Sequence, residues 1–175
     1  GDTYVIIPEG NYKLTGNIAT DIYIRTEGSI NLDLNGYTWD MSGKYLFLNK
    51  NVTFSLYDTS VNKTGKITTS SNNTIYLDGI GSTFNLYSGT VENTSDSVGA
   101  RGVSSDFGSS NLYGGTIKSN AYAVHYYLYG DITINIDDTV LECGNGHAQI
   151  STSLTSNGEP CAVIDVSDYE GGTLT

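Results

Sequence analysis

The chain has 175 residues, enough for one domain with a sizeable hydrophobic core. Its 19 Asp and Glu outnumber 8 Lys and Arg, and the net charge of −11 excludes binding that depends on neutralising the phosphates of nucleic acid or anionic membranes. Only 15% of the residues are charged while 38% are hydrophobic, and no apolar stretch has the length of a transmembrane helix. With 14 Tyr and 21 Gly, the composition indicates an ordered β protein that does not insert into a membrane.

Short runs in which apolar and polar residues alternate recur along the chain and predict β-strands. The clearest runs span residues 30–34, 52–56, 83–86, 132–136 and 163–166. Further runs between them span residues 44–48, 74–77, 121–129 and 148–154. Amphipathic helical patterns are missing, and Gly, Asn and Asp separate the runs, so we expect almost no helix.

The strand runs align as an internal repeat. We take the last inward apolar residue of each run as its anchor, and the anchors are Leu34, Leu56, Leu86, Leu112, Ile136 and Val166. Successive anchors are 22 to 30 residues apart, and the segment from Leu86 to Val91 matches the segment from Leu112 to Ile117 position by position. A repeat of this kind is typical of a parallel β-helix, because the inward residues of each coil are buried only by the neighbouring coils.

The prediction is therefore an all-β protein, a parallel β-helix of about six to seven coils, with residues 1–175 forming a single domain. A β-sandwich ranks second, since its non-adjacent strands would not share identical positions. The inward ladder is expected to contain Leu32, Leu34, Phe54, Leu56, Phe84, Leu86, Leu112, Ile134, Ile136, Ile164 and Val166.

Four motifs succeed one another in the first two thirds of the chain. They are Gly10-Asn-Tyr-Lys-Leu-Thr-Gly-Asn-Ile18, Leu32-Asp-Leu-Asn-Gly-Tyr-Thr38, Ser88-Gly-Thr-Val91 and Gly114-Gly-Thr-Ile117. Their order resembles the right-handed β-helix repeats of bacterial cell-surface and secreted proteins over residues 10–120. The resemblance implies a right-handed scaffold, an extracellular or cell-surface location, and a fragment of a larger surface protein with flanking modules. It brings no catalytic residues, and pectate lyases and polygalacturonases are similar in architecture only.

Aligning the coils places side chains in rows along the outside of the β-helix. The row after the anchors reads Asn35, Tyr57, Tyr87, Tyr113, Asp137 and Ser167, and the row before them reads Asp33, Ser55, Asn85, Asn111, Asn135 and Asp165. Stacked Asn side chains form a hydrogen-bonding ladder. The three tyrosines have two interpretations, a platform that stacks on the C–H faces of a polysaccharide or a structural ladder that covers the backbone.

Carboxylates gather in the last third of the chain, at Asp131, Asp137, Asp138, Glu142, Asp165, Asp168 and Glu170. Asp138 and Asp168 each lie two residues beyond an anchor on adjacent coils, so they could share a Ca²⁺ ion. The alternative is a solvated acidic surface, which is natural for a chain with a pI near 4.2. No other cofactor is expected.

The chain has two cysteines, Cys143 and Cys161, which flank one excursion from the repeat. In an exported protein they would form a disulfide, whereas in a reducing compartment they would be two buried thiols. Both alternatives stay open.

Catalytic motifs in the sequence are weak. Asp137-Asp138 followed by Gly146-His147 is faintly similar to the paired aspartates and the Gly-His-Gly of polygalacturonases. However, Ala148 replaces the second Gly, and the downstream Arg-x-Lys of that family is missing. No catalytic residue is assigned on this basis.

Cationic residues are also too few for an obvious lyase site. A lyase that removes a proton beside a uronic carboxylate needs a base and clustered positive charge, whereas Arg25 and Arg101 fall in different coils. We therefore expect a non-catalytic extracellular module of a bacterial surface or secreted protein, with an adhesive or stalk role and with a polysaccharide or a host or plant glycan as its partner. The alternative is a polysaccharide lyase or glycoside hydrolase that acts on acidic plant or microbial glycans.

Overall fold

The computed structural model describes residues 3–127, 129, 132–144, 147, 149–153 and 162–165, with residues 151–153 and 162–165 described by their backbone alone. All regular secondary structure in these residues is β-strand, and none of it is helix. A membrane-spanning helix is accordingly not found in this part of the chain.

The strands are short and closely spaced along the chain. In chain order they are β1 (Tyr4–Ile7), β2 (Gly10–Lys13), β3 (Ile18–Ala19), β4 (Tyr23–Thr26), β5 (Ser29–Asp33), β6 (Thr38–Asp40), β7 (Leu46–Leu48), β8 (Thr53–Tyr57), β9 (Lys66–Thr69), β10 (Asn73–Leu77), β11 (Thr83–Leu86), β12 (Thr90–Asn93), β13 (Arg101–Ser105), β14 (Ser109–Leu112), β15 (Thr116–Ser119), β16 (Tyr122–Tyr127), β17 (Ile132–Ile136), β18 (Val140–Glu142), β19 (Ile150–Ser153) and β20 (Ala162–Asp165).

These strands form three parallel sheets. Sheet A has the order β1-β4-β7-β10-β13-β16-β19, sheet B the order β2-β5-β8-β11-β14-β17-β20, and sheet C the order β3-β6-β9-β12-β15-β18. Each coil contributes one strand to each sheet, and each strand pairs with the strand one coil away. The predicted all-β parallel β-helix is confirmed.

The number of coils is slightly smaller than expected. The solenoid has about five turns, instead of six to seven. Five turns, from β4 to β18, enclose buried side chains, whereas the strands of the first turn, β1 to β3, are largely exposed. The strands of the last turn, β19 and β20, are described mainly by their backbone.

The interior of the solenoid is the predicted ladder of apolar residues. Nine of the eleven predicted residues have described side chains, and each of these nine is buried. Phe54 and Phe84 stack at a centroid distance of 6.2 Å on adjacent coils. The side chain of Ile164 and the whole of Val166 lie outside the described residues.

The predicted register is wrong at its first coil. Leu32, and not Leu34, pairs with Leu56, and Leu56 in turn pairs with Leu86. Leu34 lies beyond the end of β5, in the turn where Asn35 and Gly36 have positive φ angles of 50° and 83°. Leu34 is nevertheless buried, because this turn directs its side chain into the interior.

With Leu32 as the anchor, both outer rows shift by two residues in this coil. The row after the anchors begins with Asp33, which pairs with Tyr57, and the row before them begins with Asn31, which pairs with Ser55. An alternating Leu-Asp-Leu segment has two apolar candidates for the anchor, and only the end of the strand distinguishes them.

A buried carboxylate organises the corner between sheets B and C. The side chain of Asp58 is fully buried, and its Oδ1 accepts hydrogen bonds from the backbone N–H groups of Gly36 at 2.9 Å and Ser60 at 3.0 Å. Its Oδ2 accepts one from Gly65 at 2.6 Å. A Cβ atom at Gly65 would lie 2.6 Å from the Leu34 side chain and 2.8 Å from the Asp58 carboxylate, so only glycine fits there.

Burial raises the pKa of Asp58, but hydrogen bonds from Ser60, Gly65 and Gly36 outweigh it and hold the pKa below the usual value. The carboxylate joins turns of neighbouring coils, because Gly36 belongs to the preceding coil. The corner therefore depends on an ionised group.

A charged substitution of Leu86 tests whether this residue belongs to the inward ladder. Leu86→Asp places an unpaired charge in the fully buried interior, and its cost of several kcal/mol is comparable to the typical stability of a domain, about 5–15 kcal/mol. We expect the variant to lose its cooperative unfolding transition, measured by circular dichroism during heating. Val61→Asp is the control, since Val61 is 97% exposed. A Leu86→Asp variant that melts with the wild type would show that this register is also wrong.

A substitution of Asp58 tests whether its carboxylate stabilises the corner between sheets B and C. Its pKa in the folded protein lies below the value in the unfolded chain, about 3.9, so the stabilisation is present above that pH and is lost as the pH falls through the folded pKa. We expect Asp58→Asn to lower the free energy of unfolding by about 1–3 kcal/mol at pH 7, because the Gly65 N–H then faces an amide N–H₂.

The difference between wild type and Asp58→Asn should shrink in urea titrations as the pH falls below about 4, because Asp58 of the wild type becomes protonated. Asp21→Asn, at an exposed position, is the matched control. A constant difference across this pH range would contradict a role for the charge.

Candidate functional site

The three predicted tyrosines lie together on the outside of the solenoid. Tyr57, Tyr87 and Tyr113 directly follow Leu56, Leu86 and Leu112, which pair across β8, β11 and β14. The rings of Tyr57 and Tyr87 have centroids 4.6 Å apart and an interplanar angle of 3°. Those of Tyr87 and Tyr113 are 5.1 Å apart at 24°. We call this group the tyrosine stack.

The rings of the tyrosine stack cover one another. Each ring lies face to face with the next, so the face of the central Tyr87 is closed on both sides. Burial and the neighbouring Tyr57 raise the pKa of Tyr87. A sugar stacks on an open aromatic face, whereas this group presents mainly ring edges and hydroxyls to solvent. The arrangement favours the ladder interpretation, and the platform at these residues stays a prediction.

The predicted asparagine ladder is present one row away. The side-chain amide of Asn135 donates to Asn111 at 2.6 Å, that of Asn111 to Asn85 at 2.8 Å, and that of Asn85 to the Ser55 hydroxyl at 3.1 Å. In the first coils the same row continues with Asn31, which donates to Asn11 at 2.7 Å. These contacts give the row a structural role.

The structure describes only one residue of the predicted metal pair and only one residue of the predicted disulfide. Asp138 is exposed, and its proposed Ca²⁺ partner Asp168 lies outside the described residues. The Cys143 thiol donates to the carbonyl of His147 at 3.1 Å, and Cys161 lies outside the described residues. Among the side chains that are described, no group of three or more His, Cys, Asp or Glu could hold a metal. Both sites stay predictions.

The outer side of sheet A carries a second aromatic surface that the sequence analysis missed. Tyr23 and Tyr45 contact at 5.1 Å and 81°, Tyr45 and Phe47 at 4.5 Å and 40°, and Phe47 and Tyr76 at 5.7 Å and 54°. These rings are tilted or edge-on to one another, so they do not close each other's faces as the rings of the tyrosine stack do. We call the outward side chains of Tyr4, Tyr23, Tyr45, Phe47, Tyr76 and Tyr127 the aromatic face.

The register of sheet A builds this surface. Phe47 pairs with Arg25 on one side and with Tyr76 on the other, because β7 lies between β4 and β10. Tyr76 pairs with Ser104 in the next coil. The sequence signal is an aromatic or Arg residue at alternate positions of 23–25 and 45–47 and a tyrosine at position 76, but coils of different length conceal the alignment of these segments.

A groove of about 320 Å³ crosses one end of the aromatic face. It is lined by Tyr45, Asn73, Tyr76, Arg101, Ser104, Asp106, Tyr127 and Tyr129. The Tyr76 hydroxyl donates to Asp106 Oδ2 at 2.7 Å, and Arg101 Nη2 donates to the Tyr127 hydroxyl at 3.0 Å. The groove therefore combines aromatic walls with hydrogen-bonding groups, which is the usual make-up of a small-molecule or saccharide site.

A smaller depression continues the surface toward the first coil. It has a volume of about 190 Å³ and is lined by Tyr4, Tyr23, Arg25, Tyr45 and Phe47. The Arg25 guanidinium lies 5.0 Å from the ring centre of Tyr4 and 4.7 Å from that of Phe47. Because Tyr45 lines both cavities, the depression and the groove form one continuous surface.

Burial shifts the titration of three groups around the groove. It raises the pKa of Asp106 against the hydrogen bond from Tyr76, and the nearby Asp78 raises it further. It also raises the pKa of the Tyr76 hydroxyl, together with the hydrogen bond to Asp106. Burial and the charge of Arg101 lower the pKa of His125 to about 4, so His125 is neutral at about pH 7.

Comparison with protein-family models, with curated proteins and with solved structures finds no match. The parallel β-solenoid defines the class of fold, and such a fold by itself does not define a function.

The tyrosine stack gives a test of its structural role. Tyr87 has a ring neighbour on both sides, so the coupling energy between Tyr57→Ala and Tyr87→Ala in a double-mutant cycle should be about 1 kcal/mol. The free energies come from urea unfolding. Tyr37→Ala combined with Tyr87→Ala serves as the control and should be additive. A coupling near zero for Tyr57 and Tyr87 would argue that the stack contributes nothing to stability.

Proposed function

We propose that the chain is a non-catalytic extracellular module of a bacterial surface or secreted protein that has an adhesive or stalk role and binds polysaccharide on the aromatic face. The observation that carries the proposal is the continuous surface of tilted rings between Arg25 and Tyr127, with its groove of about 320 Å³. The resemblance of residues 10–120 to repeats of cell-surface proteins supports the extracellular location.

The physical form of the surface supports a long, repetitive ligand. Successive coils repeat about every 4.8 Å, so side chains at one register position recur at a constant step. A polysaccharide is likewise a repeat of similar units, each with an apolar C–H face and polar hydroxyls. Tyr45 and Tyr76 supply ring faces, while Asn73 and Asp106 supply polar groups beside them.

The stalk role rests on the shape of solenoids. Each turn of a solenoid contacts only its neighbours, so the structure grows in one direction and holds a binding face along its length. Within a longer chain, a module of this shape would hold its two neighbouring modules apart.

A polysaccharide lyase or hydrolase that acts on acidic plant or microbial glycans is the second candidate. One observation favours it, since Asp78 and Asp106 follow paired strands on adjacent coils and Asp106 has a raised pKa. Two carboxyl groups, one of them with a raised pKa, are typical of glycosidases. However, only Asp106 of this pair lines the groove. Binding without turnover is the better supported function.

The proposal is tested by polysaccharide binding on a glycan array and by affinity electrophoresis. We expect the double variant Tyr45→Ala/Tyr76→Ala to bind about tenfold more weakly than the wild type, because it removes two ring faces. The matched control is Tyr57→Ala/Tyr87→Ala/Tyr113→Ala, which removes aromatic area elsewhere and should keep its affinity. Circular dichroism spectra establish whether both variants are folded.

The same polysaccharides are incubated with the wild type in a turnover assay that detects reducing ends and unsaturated products. No product is expected. Loss of binding in the triple variant alone would move the site to the tyrosine stack, and product that disappears in Asp106→Asn would establish the enzyme. Absence of binding to any polysaccharide would contradict the proposed function.

A further inference from the structure

Both arginines of the chain lie on the outer side of sheet A, and neither forms an ion pair within the described part of the chain. The ion pairs of the described residues join Lys13 to Asp33, Lys66 to Glu92, and Lys118 to Glu92 and Glu142. Arg25 and Arg101 do not take part in them, although the chain has 19 acidic residues. Two guanidinium groups on one face of an acidic protein are therefore not paired with a carboxylate of these residues.

Aromatic rings hold these guanidinium groups in place. Arg25 lies between Tyr4 and Phe47 and donates to Asn49 Oδ1 at 3.0 Å. Arg101 lies 5.6 Å from the ring centre of Tyr127 and donates to its hydroxyl. Such contacts orient the planar group, and because these partners are neutral they do not neutralise its charge. Arg101 does interact with the charge of Asp106, since it acts to lower the pKa of that carboxyl group. An arginine fixed in this way binds a carboxylate at a low cost in side-chain entropy.

The distance between the two arginines suits a linear ligand. Arg25 is on β4 and Arg101 on β13, which are three coils apart, or about 14 Å along the solenoid. Tyr45, Phe47 and Tyr76 occupy the coils between them. A chain laid along this path would meet a cation, then aromatic rings, then a second cation.

We propose that the aromatic face binds a polysaccharide made of uronic acid units, with carboxylates of the ligand held by Arg25 and Arg101 and its sugar rings lying on Tyr45 and Tyr76. This inference rests on the proposed function and narrows its ligand to a carboxylated glycan. The guanidinium fork matches a carboxylate in two parallel hydrogen bonds, which suits arginine better than lysine for both positions.

The acidic surroundings limit where such a ligand binds. Charges separated by more than about 8 Å are largely screened at physiological ionic strength, so the net charge of −11 acts weakly across the molecule. The carboxyl group of Asp106 lines the groove together with Arg101, and its negative charge would repel the carboxylates of the ligand. Removing its charge should therefore strengthen the binding of a polyuronate.

The ligands for the test are polygalacturonate and polymannuronate. Each is compared with the same polymer after its carboxyl groups have been reduced to hydroxymethyl groups, which keeps the rings and linkages and removes the charge. Dextran sulfate and polyglutamate are two further test ligands, which represent a sulfated glycan and a carboxylated peptide. Affinities are measured by isothermal titration calorimetry at about 50 and about 150 mM NaCl, which separates screened from short-range contacts.

We expect at least one polyuronate to bind about tenfold more tightly than its reduced form. Arg25→Gln and Arg101→Gln should each lower the affinity for the polyuronate about tenfold. Arg101→Lys keeps the positive charge but not the two parallel donors of the guanidinium group, so it should retain part of the affinity. Asp106→Asn should increase the affinity, since it removes a negative charge and keeps an acceptor for Tyr76. Lys118→Gln on sheet C is the control for losing one positive charge and should have no effect.

The outcomes separate this inference from the proposed function. Equal binding of a polyuronate and its reduced form, unchanged in both arginine variants, would overturn the inference and leave polysaccharide binding in place. Tighter binding of dextran sulfate or polyglutamate than of either polyuronate would also overturn it. If neither polyuronate binds while another polysaccharide of the glycan array does, the inference fails and the proposed function stands. If no polysaccharide binds in either experiment, both fail.

Discussion

The pairing of each coil with the next, strand on parallel strand, is the constraint on which the rest of this structure depends. A coil cannot bury its own inward residues, so Leu56 is covered only because Leu32 and Leu86 lie directly before and after it. The same pairing satisfies the backbone hydrogen bonds of all three sheets. Any residue next to a paired position is therefore brought into a row with its equivalents, whether or not the row has a function.

The two aromatic surfaces show how different rows result from this one constraint. In the tyrosine stack the same residue recurs in three coils, and identical rings at one register position lie parallel and close each other's faces. On the aromatic face the paired positions hold Arg25, Phe47 and Tyr76, which differ in size and direction. Their rings are tilted, and grooves remain between them. A mixed row thus leaves cavities between its side chains, although a uniform row is easier to see in the sequence.

The charges of Asp58 and Lys66 are each compensated by groups directly beside them. Asp58 is buried and stays ionised because three backbone N–H groups replace its water, and Lys66 on the outside of the solenoid is matched by Glu92 one coil away. The two arginines differ, since they are held by aromatic rings and neutral acceptors. That contrast, more than the net charge, distinguishes sheet A from the other two sheets.

The sequence by itself determined the all-β class, the parallel β-helix and most of the interior, because alternation and repetition are properties of the chain that survive folding. It also predicted the tyrosine and asparagine rows. It did not determine the register at Leu32 and Leu34, since either leucine continues the alternation and only the pairing with Leu56 decides between them. Only the tertiary structure placed Arg25 and Arg101 on one face with Tyr45 and Tyr76, because coils of unequal length hide which distant residues become neighbours.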